Sequence, residues 1–151
     1  RDCLLSRGLG DVYKRQVYKY PEGTLVDLNE ADTTELKKIP GIGSGIARMI
    51  VAYRKRLGGF YDMAQLKEVN YVDEDMLRWF KLGNAPIHRI NANKAGLDKL
   101  RSHPYMNFYQ AKVIIEYRRK KGKLKSLSQL SLYEEFTEKD LERLSHYLAF
   151  D

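Results

Sequence analysis

Ile39-Pro40-Gly41-Ile42-Gly43-Ser44-Gly45-Ile46-Ala47 is the stretch from which the rest of the chain is read. Leu36 and Ile39 before the glycines, and Ile46, Ala47, Ile50, Val51 and Leu57 after them, are apolar at helical spacing. The stretch therefore reads as helix, short glycine turn, helix. Pro40 cannot continue the first helix, and glycine tolerates the positive φ angles such a turn can require. A second helix starting at Ser44 or Gly45 begins with free N–H groups and the positive end of its dipole, which suits a phosphate.

Working outward, the chain repeats itself. A gapless shift of 64 residues lays Asn29 on Asn93, Ala31 on Ala95, Leu36 on Leu100 and Pro40 on Pro104. It continues with Ala47 on Ala111, Ile50 on Ile114, Tyr53 on Tyr117, Arg54 on Arg118, Gly58 on Gly122, Gln65 on Gln129, Leu66 on Leu130 and Leu77 on Leu141. Two copies of one unit follow, 27–82 and 89–151, joined by a linker at 83–88. Each copy reads as four short helices. Asp32 to Glu35 opens the first, and Ser44 to Leu57 forms the second, stopped by Gly58-Gly59. Asp62 to Gln65, and Ser126 to Gln129 in the second copy, cap a third. A fourth carries Met76, Leu77 and Phe80 in the first copy. The last two helices of a unit have hairpin spacing without glycines, so each unit is expected to be two hairpins back to back.

Pro40-Gly41-Ile42-Gly43 followed by Ala47, Ile50 and Arg54 resembles the helix-hairpin-helix DNA-binding motif. With Asp27-Leu28-Asn29-Glu30-Ala31 before it and Gly59-Phe60 and Leu66 after it, the longer pattern is similar to the ComEA-type competence proteins. The resemblance covers roughly residues 25 to 150. It implies an all-α fold of two tandem (HhH)2, or SAM-like, four-helix units. It also implies a role in DNA uptake, protein partners in an uptake apparatus, and an extracytoplasmic place with a membrane anchor. By the same resemblance the carbonyls of Lys37, Ile39 and Ile42 could hold a monovalent cation. No other metal and no cofactor is expected.

Composition agrees with an anionic partner. The chain has 27 Lys+Arg against 20 Asp+Glu, a net charge of +7, which favours nucleic acid or an anionic surface. Charge is unevenly divided: residues 27–88 carry nine basic and nine acidic residues, whereas 89–151 carry thirteen and eight. The single Cys3 assigns no redox compartment, and no apolar run is long enough to span a membrane. Residues 1–16 match nothing downstream and resemble translated sequencing-adapter sequence. The native N-terminus, with any export signal or anchor, is then missing. Residues 17–26 read as an extended lead-in.

The candidate site residues follow. Amides of Gly41, Ile42, Gly43, Ser44, Gly45 and Ile46 would face a phosphate of double-stranded DNA, with Lys38 and Arg48 adding charge nearby. Such contacts read the backbone and not the bases. The plainer reading is a tight interhelical turn, but a turn alone needs fewer glycines. In the second copy the turn is His103-Pro104-Tyr105-Met106-Asn107-Phe108-Tyr109, without glycine, and its aromatic residues are expected to pack against the neighbouring unit. Arg118, Arg119, Lys120 and Lys121 form either a second phosphate-tracking patch or cations that complement a helix C-terminus. Asp73-Glu74-Asp75 and Glu134-Glu135 read as acids at helix starts rather than as a nuclease centre. No catalytic residue is assigned, and a repair accessory role or a helical scaffold remains an alternative.

Overall fold

A computed structural model describes residues 18–151, so the adapter-like stretch 1–16 lies outside the described residues. The first unit opens with strand β1 (Val26–Asp27) and helix α1 (Thr33–Leu36), whose first turn is capped by Asp32 accepting from the Glu35 N–H at 2.8 Å. Helix α2 (Ser44–Leu57) follows. Its buried positions, Ala47, Ile50 and Leu57, fall on one face, and it ends where Gly58 turns left-handed at φ 94°. The third and fourth helices of this unit are 3-10 segments, Met63–Glu68 and Glu74–Trp79, and strand β2 (Phe80–Lys81) closes the unit. The second unit runs β3 (Ile90–Asn91), α3 (Leu97–Arg101), α4 (Phe108–Lys121), a 3-10 segment Leu127–Leu130, α5 (Glu138–Leu144) and β4 (Leu148–Ala149). The fold is all-α.

The strands are two-residue parallel bridges that clip the start of each unit to its end. Val26 pairs with Phe80, and Ile90 with Leu148. Pairings this short leave no periodicity to read, so the sequence gives only an extended lead-in there. The bridges also show where the repeat slips. Equivalent helix starts, Asp73 and Thr137, are 64 residues apart, but the strand partners Phe80 and Leu148 are 68 apart. Of the four extra residues one lies in α5, which is seven residues long against six for Glu74–Trp79, and the other three, 145–147, form a turn before β4.

Repeated side chains hold the same joints twice. Asn29 accepts from the Phe60 N–H at 2.7 Å and donates to its carbonyl at 2.9 Å. Asn93 does the same with Leu124, at 2.7 and 2.8 Å. Arg54 donates to the carbonyls of Leu28 and Ala31, and its counterpart Arg118 to that of Ala95.

The two units meet through a buried polar cluster. Gln65 is 4% exposed and makes four hydrogen bonds. Its Oε1 accepts from the N–H groups of Tyr61 and Asp62, and its Nε2 donates to the hydroxyls of Tyr105 and Tyr147. Tyr105 donates to Glu68, and Tyr147 to the Gly59 carbonyl. The His103 Nδ1 accepts from the Tyr105 N–H, which leaves Nε2 to donate to the Leu57 carbonyl at 2.8 Å. His146 stacks on Tyr61 with ring centroids 3.7 Å apart. Leu57 ends α2, so the second unit touches the far end of that helix, about 20 Å from Ser44. The glycine turn is left clear.

Candidate nucleic-acid interface

The chain makes the same turn four times. Ile42 donates its N–H to the Ile39 carbonyl, Val72 to Val69, Met106 to His103 and Phe136 to Tyr133, at 3.0 to 3.2 Å. The inner residue of each turn, Ile42, Val72, Met106 or Phe136, is buried, and the next residue caps a helix. Gly41 takes φ 91° in the first turn, and the corresponding Tyr71 takes φ 71° in the second. The second hairpin therefore keeps the left-handed bend of the first without a glycine, whereas Tyr105 and Glu135 at the same place take no positive φ. What all four turns share is the closing hydrogen bond.

The caps differ. Asp73 accepts from the Met76 N–H, Asn107 from Gln110 and Thr137 from Asp140, and Gln110 and Asp140 reach back to the N–H of their cap residue. Gly43 has no side chain to offer. Among the described residues nothing accepts from the N–H groups of Gly43, Ser44, Gly45 or Ile46. Gly43, Ser44, Gly45 and the nearby Arg48 are exposed.

Only one of these glycines answers to backbone strain. Gly41 lies in the left-handed region, where a side chain is disfavoured. Gly43 sits at φ −95°, and Gly45 lies inside the helix. A Cβ added at either would meet nothing within 4 Å. Glycine within a helix costs about 1 kcal/mol relative to alanine. Neither packing nor conformation inside the chain accounts for Gly45.

The cations are placed unequally. Lys38 holds its ammonium 5.8 Å from the centre of the Tyr20 ring. Of the cluster ending α4, Arg118 is engaged by the Ala95 carbonyl and Lys121 lies 5.6 Å from the Tyr117 ring centre. Arg118 thereby repeats the joint made by Arg54. Arg119 and Lys120 remain exposed, and Arg119 and Lys123 border an open hollow of about 410 Å³. Two carbonyls of the implied cation site, Lys37 and Ile42, are met by the ammonium of Lys19, at 2.6 and 3.2 Å. Nothing in the lead-in sequence points to Lys19.

The second unit's turn divides its aromatic residues. Tyr105 is buried against the first unit, as the sequence leads one to expect, but Phe108 and Tyr109 are 40% and 68% exposed. Asp73 is spent on capping and Glu74 pairs with Lys67 at 2.8 Å. Among the described residues no three His, Cys, Asp or Glu side chains are grouped to hold a metal, and no helix is long and apolar enough to cross a membrane.

This geometry agrees with what the chain is similar to. Endonuclease/exonuclease/phosphatase family domain-containing protein 1 of Mus musculus is 27% identical over 154 residues, covering 80% of this chain and 27% of that protein. Its namesake in Danio rerio is 28% identical over 127 residues, covering 70% and 23%. The chain thus spans about a quarter of the length of these relatives. No solved structure matches it. The family model described as the helix-hairpin-helix motif matches residues 22–79 and again 86–149, and with most of its length so matched, the chain belongs to the helix-hairpin-helix family.

Proposed function

We propose that this chain binds double-stranded DNA without sequence preference, seating a backbone phosphate on the amides of Gly43, Ser44, Gly45 and Ile46. The observation that carries this reading is the missing cap. Three of four equivalent turns place a side chain on their helix amides, and the fourth has glycines where a side chain would fit. Bare amides at a positive helix end complement a phosphate, and missing side chains allow a bulky duplex to approach. Arg48 adds charge on the exposed first turn of α2. The second unit braces the first through the Gln65 cluster, and Arg119 and Lys120 supply a weaker phosphate contact. Phosphate contacts of this kind position a protein on duplex and carry no base information.

The residues that resemble the ComEA-type proteins support a place in DNA uptake, with extracytoplasmic location and uptake partners. The name of the relatives supports a second reading, in which the paired units deliver duplex to a nucleic-acid-processing activity. Both use the same contact.

Binding to random-sequence duplex across a salt series tests the shared claim. A slope corresponding to about 3–6 phosphate contacts is expected, with a large loss of affinity for Gly45→Asp. Equal affinity of that variant and the native chain would remove the turn from the interface.

A further inference from the structure

Family resemblance implies a monovalent metal ion under the glycine turn, and the side chains present do not fit one. The Lys19 Nζ lies 2.6 Å from the Lys37 carbonyl and 3.2 Å from the Ile42 carbonyl. The remaining carbonyl, that of Ile39, accepts the turn's own hydrogen bond from the Ile42 N–H at 3.0 Å. The residue after the lysine is tied down as well: the Tyr20 N–H donates to the Lys38 carbonyl at 2.7 Å, and the Lys38 ammonium lies over the Tyr20 ring. A metal ion on the same oxygens would have to displace a like charge.

We propose that Lys19 is the resident cation of this hairpin and makes its DNA binding indifferent to which monovalent cation is in solution. The inference rests on the duplex-binding reading above. Its mechanism follows from the planarity of one peptide group. The Ile42 carbonyl and the Gly43 N–H belong to the same trans peptide and point in opposite directions. Holding the carbonyl on an ammonium fixes the N–H outward and polarises it towards an anion on the other side. The second unit supports the assignment. Its equivalent turn caps its own amides through Asn107 and Gln110, and the residue that the 64-residue shift lays on Lys19 is Gly83.

The test compares the native chain with Lys19→Met in potassium, sodium and tetramethylammonium chloride at one ionic strength. Thermal stability and affinity for random-sequence duplex are both measured. The native chain is expected to give the same values in all three salts. Lys19→Met is expected to bind about tenfold more weakly in tetramethylammonium, the worth of one charge-assisted contact, with both readouts partly restored by potassium or sodium. Three results would overturn the proposal: a native chain that itself responds to the identity of the cation, a variant unchanged in every salt, or a loss equal in all three. The last would reduce Lys19 to a charge near DNA. If the native chain binds no duplex, the DNA reading fails, and the stability measurements still decide whether Lys19 replaces a metal.

Discussion

Two neighbouring glycines of one turn answer to different demands. Gly41 is set by its backbone, at φ 91°. Gly41→Ala is expected to destabilise the chain by about 1–2 kcal/mol, read by thermal or urea unfolding, because a side chain in the left-handed region is strained. Gly45 answers to no such demand, so Gly45→Ala is expected to stabilise by up to about 1 kcal/mol while weakening duplex binding. Opposite signs in the two assays would separate a binding role from a folding role. Equal signs would tie Gly45 to the fold.

Individual elements repeat more faithfully in their joints than in their surfaces. Arg118 and Arg119 are adjacent in the sequence, yet one is engaged by the Ala95 carbonyl and the other is exposed. Arg118→Ala is expected to cost about 1–2 kcal/mol of stability. Arg119→Ala with Lys120→Ala should leave stability near its native value and lower the salt slope by about one to two. If the Arg118 variant unfolds at the native midpoint, the joint is not structural. The shift by 64 residues made the paired helices, the glycine stop of α2 and the degenerate turn legible. Asn29 and Asn93 were visible as a match, but a hydrogen-bonding role needs a partner 31 residues away. Cap chemistry was readable at Asp62 and Ser126, yet the contrast among all four turns required knowing that each closes with the same backbone hydrogen bond before its cap residue. Lys19 and the two-residue bridges were beyond the sequence because single long-range contacts leave no period.

The whole molecule depends on a polar cluster that binds one unit to the other. Gln65→Leu would take the acceptor from the N–H groups of Tyr61 and Asp62, while the hydroxyls of Tyr105 and Tyr147 would keep Glu68 and the Gly59 carbonyl as acceptors, for a total cost of about 1–3 kcal/mol. It should lower the unfolding midpoint. His103 adds a pH dependence. Burial holds its pKa below the ordinary 6.5, so the folded chain keeps it neutral while the unfolded chain takes up a proton. The unfolded state then binds more protons, so this stability is complete above pH 6.5 and is lost as pH falls below it. Unfolding midpoints measured from pH 7.5 downward should decline for the native chain, and less steeply for His103→Gln. Because the cluster holds the far end of α2, changes at its first turn should leave the joint between the units intact. The decisive measurement is Gly43→Asn, which gives the open turn the cap residue that its counterpart has at Asn107. Stability should hold or rise by a few tenths of a kcal/mol, and affinity for random-sequence duplex should fall about tenfold or more as the new side chain competes for the amides. Native affinity in a variant whose helix is demonstrably capped would contradict the account.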